Sequence, residues 1–234
     1  QRQALERAWA GDPQAAFGSI VAFNQPLTLE AAEFLCENGE FVEVMVAPAF
    51  TDEAVKLLTT KPRWKRNVRL LEVGPLAPVP AEARTVKNIL GGLLVQDADR
   101  LGWDVATLKT VTKRAPTAAE LADLEVAWLV VKHLKSNAIA LVKGGALVGP
   151  GCGQMSRVNA SELAVRLAGP SRATGSVLGS DAFFPFPDGV AAAAAAGVTA
   201  IIQPGGAKGD PAVIAEADRH GIAMVFTGVR HFRH

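Results

Sequence analysis

"GSVLGSDAFFPFPDGVAAAAAAGVTAIIQPGG", residues 175–206, decides the fold class. "GSVLGS" is a short apolar run of strand length. "DGVAAAAAAG" is a helix, because alanine has the highest helix propensity and Gly197 stops it. "VTAIIQPGG" is a second strand that runs into a Gly-rich loop. Strand, helix and strand in succession place the chain in the α/β class. Between Asp181 and Asp188 stand three Phe and two Pro, in a chain with ten Phe and no Tyr. Core strands rarely carry Pro, and solvent loops rarely carry so many rings. This connection reads as a surface built to hold something flat.

The alternation continues outward. "DPAVIAEADRHG" (210–221) is a helix and "IAMVFTG" (222–228) a strand. Upstream, "MSRVNASELAVRLAG" (155–169) is a helix ended by Gly169, preceded by strands "NAIALVK" (137–143) and "LVG" (147–149) around a "GGA" turn. "TAAELADLEVAWLVVKHLKS" (117–136) is a helix capped by Thr117 with Glu120 as its box partner. In the first half, 2–10 and 28–37 have helical composition, and "TDEAVKLLTT" (51–60) is a helix with a Thr cap and acids in its first turn. "GSIVAFN" (18–24), "FVEVMVAP" (41–48) and "NVRLLEV" (67–73) are strands. "GPLAPVPAEARTVKN" (74–88) is rich in Pro and Ala, has no clear period and reads as a linker or crossing loop. Gly18 to Pro48 and Gly175 to Pro204 are nearly equal intervals with the same order of elements. That echo predicts two βαβαβ units of one build, although any α/β chain repeats in a similar way.

The totals exclude several classes. At 234 residues and 49% hydrophobic content the chain can bury a sizeable core. No apolar run is long enough to span a membrane. "QRQALERAWAGD" is charged and helix-like, unlike a signal peptide. Its abrupt start, without Met, leads to the expectation of a piece of something longer. Net charge is +1, with no basic stripe for nucleic acid. Cys36 and Cys152 lie far apart, which fits a reducing cytoplasm better than a disulfide framework.

Several stretches carry chemistry. "VGPGCGQMSR" (148–157) puts three glycines before a helix, where backbone N–H groups and the helix dipole can meet an anion. It matches neither a Walker loop nor a dinucleotide fingerprint. A tight strand-to-helix turn is the ordinary alternative, and Arg157, about one turn into the helix, favours a site. Cys152 is followed by no second Cys and the chain has no H-x-E, so the deaminase zinc signature fails and no metal site is expected. Cys152 reads as a small packing residue. Asn137 stands between the long helix and a buried strand. It is either a helix-stop residue or an amide aimed at an oxyanion and an amine. "GVRHFRH" (228–234) gathers Arg230, His231, Phe232, Arg233 and His234 directly after an apolar strand, at the strand end where α/β ligands sit. "QPGGAKGD" (203–210) is a further Gly-rich loop, on the same edge if the strands run parallel. Such loops, with Arg, Asn, Asp and rings, fit a cleft for an anionic, partly flat molecule.

"GSVLGSDAFFPFPDG", "AIIQPGG", "KSNAIALVKGG", "GCGQMSRV" and "AMVFTGVRHFRH", with "AFGSIVAFNQPL" and "FVEVMVAPAF" in the first half, closely resemble one family. It is the formyltransferase portion of the bifunctional purine-biosynthesis enzyme, AICAR transformylase/IMP cyclohydrolase. The resemblance covers essentially the whole chain, in order. It implies an α/β fold of two cytidine-deaminase-like three-layer lobes without zinc, the first truncated at its N-terminal side. The corresponding domains are 1–75 for the remainder of the first lobe, 76–105 for a crossing segment and 106–234 for the second lobe. It implies formyl transfer from 10-formyltetrahydrofolate to the 5-amino group of AICAR, in a cytoplasmic homodimer whose active sites use both subunits. A structural monovalent cation near the end of the long helix is allowed by the same analogy.

Carried over by resemblance, Asn137 holds the substrate carboxamide and helps stabilise the transition state. Gly18 and Glu43 lie at the heterocycle, Arg157 and Phe183 line the nucleotide site, and Arg230 meets the phosphate. Val158, Asp188, Ala207 and Lys208 lie on the folate side. His234 is a candidate member of the proton network. Phe183 would then face a planar ring and Asp188 would accept from a pterin, with Pro185 and Pro187 stiffening the turn. One departure stands out. The family's general base is a His in a Lys-His pair upstream of the "AFG" that begins here at Ala16, and none of His133, His220, His231 and His234 sits in such a motif. A fragment lacking the cyclohydrolase domain and this pair is the expectation. A catalytically inactive nucleotide-binding or dimerisation remnant is the alternative, and a zinc deaminase of related fold is nearly excluded by the absent ligands.

Overall fold

Short apolar strands are joined mostly by helical crossovers, and the chain accordingly folds into two α/β units, Gln1–Leu101 and Gly102–His234. The computed structural model describes residues 1–39 and 41–234. The first unit runs α1 (Arg2–Gly11), β1 (Ser19–Ala22), α2 (Leu29–Asn38), β2 (Val42–Ala47), α3 (Asp52–Thr60) and β3 (Arg69–Glu72). The three strands form a parallel sheet in the order β1-β2-β3. Leu27, Ala31, Leu35, Met45, Ala47 and Leu58 close one core between the sheet and its helices. The predicted Thr51 cap is present, its hydroxyl accepting from the Ala54 N–H at 3.3 Å. The opposite sheet face exposes Ile20 (70%) and Leu71 (46%).

Within 76–105 the chain forms an antiparallel hairpin, β4 (Arg84–Ile89) and β5 (Gly92–Asp97), with Val86 opposite Val95. Leu90 and Gly91 make its two-residue turn, and Gly91 takes φ +84, which an L side chain resists. All residues of both strands are exposed. Apolar side chains occur on both faces, so the alternation that marks a half-buried strand is missing from the sequence.

The second unit holds β6 (Lys109–Thr110), α4 (Ala118–Val131), β7 (Ile139–Lys143), β8 (Ala146–Gly151), α5 (Arg157–Ala173), β9 (Val177–Ser180), α6 (Asp188–Ala195), β10 (Ala200–Gln203), α7 (Asp210–Arg219) and β11 (Ala223–Phe226). Its six-stranded mixed sheet has the order β6-β11-β10-β9-β7-β8. β9, β10 and β11 are parallel, whereas β7 runs antiparallel to β9 and β6 antiparallel to β11. β9–α6–β10–α7–β11 therefore repeats the order and direction of β1–α2–β2–α3–β3, as the echo predicts. Period-two alternation sorts the strand residues to two faces. Ala140, Val142, Val177, Ile202 and Val225 pack under Ala127, Trp128 and Val131 of α4. Ile139, Leu141, Leu178, Ile201 and Met224 pack under α5, α6 and α7. The result is three layers, with strands buried on both sides, as parallel sheets require.

Two helix ends differ from expectation. The predicted helix 117–136 keeps its capping box, Thr117 N–H to Glu120 Oε2 at 2.8 Å and Glu120 N–H to Thr117 Oγ1 at 3.2 Å, but ends at Val131. The last turn tightens to i→i+3 bonds, and tertiary bonds from Gly153 N to Lys135 O and from Ser136 N to Arg233 O take residues 135 and 136 out of the helix. The helix read as stopping at Gly169 resumes after it. Gly169, at φ +71, makes a kink, and Pro170 starts a last short turn. Among the described residues, no helix is long and apolar enough to cross a membrane.

Candidate functional site

Parallel topology fixes which ends meet. The loops after β9, β10 and β11 leave the same edge of the second unit's sheet. Antiparallel pairing of Ile139 with both Ser180 and Gly151 brings the start of β7 and the end of β8 to that edge too. Residues 136–138, 151–157, 181–188, 204–209 and 227–234 therefore converge there.

Asn137 and Arg157 are bonded to each other. Arg157 Nη2 donates to Asn137 Oδ1 at 2.9 Å, and Asn137 Nδ2 donates to the Gln154 carbonyl at 2.9 Å. These partners orient the half-buried amide. Each of its polar atoms keeps capacity for one more hydrogen bond. The peptide bond between Ser136 and Asn137 is cis. Asn137 follows the end of α4 by several residues, so it is not a helix-stop residue.

Arg157 is 7% exposed. Its Nη1 donates to Asp181 Oδ1 at 2.5 Å, Ser180 Oγ at 2.8 Å and the Ala138 carbonyl at 3.4 Å. The guanidinium is thus anchored below the surface, and its outward link is the Asn137 amide. Asp181 is fully buried. Its Oδ2 accepts from Ser136 Oγ at 2.5 Å, its Oδ1 from the Ala138 N–H at 3.2 Å, and its carbonyl from the His231 N–H at 2.9 Å. Neither Asp181 nor Ser136 was singled out in the sequence, although Asp181 opens the aromatic loop.

Phe183 and Arg230 also meet. The Arg230 guanidinium carbon lies 4.7 Å from the Phe183 ring centroid, a cation–π contact. Arg230 is exposed and Phe183 half-buried, so both keep a face to solvent. The C-terminal segment is docked: Arg233 N donates to Ser136 Oγ at 3.1 Å, and the His231 ring, 1% exposed, lies 4.4 Å from the Trp128 ring. His234 is exposed and stacks on Phe232 at 5.8 Å.

The folate-side candidates occupy the same edge. Exposed Asp188 begins α6 and accepts from the Gly189 N–H at 2.7 Å. Val158 is half-buried in the first turn of α5, and Lys208 is exposed. The 204–209 loop is less open to an anion than its glycines imply, because Asp210 Oδ2 already accepts from Gly206 N at 2.7 Å and Ala207 N at 3.2 Å. Fully buried Gln203 joins the two loops, its Oε1 accepting from Phe184 N at 3.3 Å and Gly205 N at 3.4 Å. A lone Gln in an apolar strand gives no sequence signal for this role.

Two glycines of "VGPGCGQMSR" serve packing. A Cβ on Gly149 would overlap the Ala164 carbonyl oxygen, and one on Gly151 the Ala160 carbonyl oxygen, so β8 lies directly against α5. Cys152 is exposed and so not a packing residue: the antiparallel partner strand of β8 ends before it, and the chain turns outward there. Burial pushes the Cys36 thiol upward in pKa, which keeps it protonated.

In the first unit, Gly18 has φ +70 and donates to the Phe41 carbonyl at 2.9 Å. Glu43 on β2 pairs with Arg69 on β3 at 3.7 Å. At the sheet edge opposite the candidate site, Arg114 links Glu120 to the Gly221 and Thr199 carbonyls. Burial pushes Glu120 up, but the hydrogen bonds from Arg114 and Thr117 outweigh it and hold the carboxyl at about 2. Among the described residues no group of three or more His, Cys, Asp and Glu is placed to hold a metal ion.

The sequence matches the family model described as "AICARFT/IMPCHase bienzyme" over residues 1–167. Relatives named "Bifunctional purine biosynthesis protein PurH" are similar over nearly all of the chain. Identity is 53% over 232 residues in Rhodopirellula baltica, 54% over 242 in Mesorhizobium japonicum and 48% over 232 in Bacillus subtilis. Those alignments cover 99–100% of this chain and 44% of each relative, so the chain spans less than half the length of the curated relatives it matches. The chain belongs to the AICARFT/IMPCHase bienzyme family.

Proposed function

We propose that this chain carries the machinery for formyl transfer from 10-formyltetrahydrofolate to the 5-amino group of AICAR. The observation that carries the reading is the oriented Asn137 amide, bonded to Arg157, on the same sheet edge as the Arg230–Phe183 pair. The amine is conjugated to its ring and carboxamide and is a weak nucleophile. Its nitrogen must attack the formyl carbon while the bond from that carbon to the folate nitrogen breaks, and its proton must pass to the departing nitrogen. A site for this must align two reactants, stabilise a tetrahedral oxyanion and relay a proton. Asn137 can hold the carboxamide and donate to the developing charge. Arg230 can pair with the phosphate bidentately while its other face rests on Phe183. Arg157 bears on the nucleotide by orienting Asn137. Val158, Asp188, Ala207 and Lys208 form the folate side, supported by Gln203, which ties the two loops together. His234 is the candidate proton carrier. For Gly18 and Glu43 the support is the resemblance alone.

In this reading the two units are cytidine-deaminase-like lobes, supported by the shared βαβαβ order, and the chain is cytoplasmic. Residues 1–75, 76–105 and 106–234 are its first lobe, crossing segment and second lobe. It works as a homodimer with shared sites, supported by the exposed apolar residues Val86, Leu93, Leu94 and Val95 of a hairpin that no layer covers among the described residues. For a monovalent cation near the end of α4 the support is the resemblance alone. The alternative reading is an inactive nucleotide-binding or dimerisation remnant. Formyl transfer by the purified chain, with AICAR and 10-formyltetrahydrofolate binding followed in parallel, separates the two. Turnover supports the transferase, and binding of both ligands without turnover supports a transferase fragment that lacks its base. Binding of AICAR without turnover or folate binding supports the remnant, and binding of neither ligand refutes both nucleotide readings.

A further inference from the structure

We infer that Asp181 is a positioning residue that sets the orientation of the Asn137 amide through the Arg157 guanidinium, and this rests on the reading of Asn137 given above. The chain of contacts is continuous. Asp181 Oδ1 holds Arg157 Nη1 at 2.5 Å, and Arg157 Nη2 holds Asn137 Oδ1 at 2.9 Å. A planar guanidinium fixed at one nitrogen by a buried carboxylate has its other nitrogen fixed in direction as well. An unrestrained amide could present either its oxygen or its nitrogen to a ligand. Here Arg157 cannot accept a hydrogen bond, so only the oxygen can face it. The Gln154 carbonyl cannot donate, so only the nitrogen can face that side.

Asp181 controls the same residue from a second direction. Its two oxygens accept from Ser136 and Ala138, the residues on either side of Asn137. Its backbone carbonyl accepts from the His231 N–H, and the Ser136 hydroxyl that its carboxylate holds accepts from the Arg233 N–H, so the same residue also links the segment that bears Arg230 to the start of β7. The side chain is fully buried and out of reach of a ligand, so it acts through others.

The test is a double-mutant cycle between Asp181→Asn and Asn137→Ala in the 234-residue chain, read by AICAR affinity and by hydrogen exchange of the Asn137 side-chain amide. Each single change is expected to weaken binding about tenfold, and the pair together also about tenfold, not about a hundredfold. The Asn137 amide should exchange faster in Asp181→Asn. Arg157→Lys keeps a charge opposite Asp181 but loses the fork, so it covers the case in which Asp181→Asn does not fold. It should release the amide in the same way. Melting temperatures monitor general damage, which would add to, not overlap with, the Asn137 effect. The measurements are repeated without potassium, because a carboxylate that served only a bound cation would lose its effect when the ion is withheld. Additive effects, an amide as protected as in the wild type, or loss of the effect without potassium would each overturn the inference. If wild type fails to bind AICAR, the functional reading falls, and the amide exchange alone decides whether Asp181 positions Asn137.

Discussion

Gly151→Ala places a methyl group where β8 touches α5. The new Cβ would overlap the Ala160 carbonyl oxygen and lie 2.9 Å from the Ala160 carbonyl carbon and 3.0 Å from the Ala164 nitrogen. Comfortable contacts between such atoms are about 3.5–4.0 Å. All the obstructing atoms are helix backbone, so no rotamer change gives relief, and strand and helix must separate. Ala160, Ala164 and Ala168 are the buried face of α5 here, and separation loosens them together. Overpacking of a tight core costs about 1–3 kcal/mol and occasionally more. With a rigid obstacle, about 3 kcal/mol is expected, which lowers Tm by roughly 6–12 °C for a chain of this size. Gly153→Ala is the control. Its Cβ meets nothing within 4 Å, and the strain comes only from φ +67. That costs about 1–2 kcal/mol. Thermal melts and urea titrations of the two variants should rank Gly151→Ala well below Gly153→Ala, with unchanged m-values. A Gly151→Ala chain within about 1 kcal/mol of wild type that nonetheless loses phosphate-ligand binding would refute the packing account and restore an anion-cradle role for this glycine.

Arg230→Ala removes an exposed guanidinium, so Tm should stay within about 2 °C while AICAR affinity falls roughly 10- to 150-fold, the equivalent of about 1.5–3 kcal/mol for a charged hydrogen bond. Binding of the same nucleoside without its phosphate should be unaffected. Gln203→Leu leaves the Phe184 and Gly205 N–H groups without their acceptor and should cost about 1–3 kcal/mol in a urea melt, with weaker folate binding as the two loops separate. Glu120 is held at about 2, below the ordinary 4.5, so the unfolded state binds its proton first as pH falls. Its contribution is complete above about pH 4.5 and is lost on acidification through about pH 2. The urea midpoint of Glu120→Gln should therefore lie below wild type near neutrality and converge with it in acid.

Local rules sufficed for much of the fold. Strands 137–143 and 222–228, the Thr117–Glu120 box and the alanine helix are legible because propensity, capping and period all act within a few residues. The βαβαβ echo was legible because each crossover spends similar numbers of residues on strand and helix. The hairpin at 84–97 was not, because its apolar residues do not alternate. The end of α4 was not legible either, because distant residues Gly153 and Arg233 bond to 135 and 136.

The same division holds for the site. The sequence by itself determined which residue types are present: an amide at 137, guanidinium groups at 157 and 230, rings at 183–186 and a resemblance specific enough to order them. Tertiary structure decided their states. Antiparallel pairing of β7 with β9 brought Asp181 beside Asn137 and made Arg157 a buried anchor for the amide. It also put Phe183 under Arg230 and committed Gly149 and Gly151 to helix packing. The physical reason is one of range. Propensity and capping depend on neighbours in the chain, whereas the burial and pairing of a charge depend on which strand lies next to which. A single sequence records that adjacency only as a parity of apolar positions.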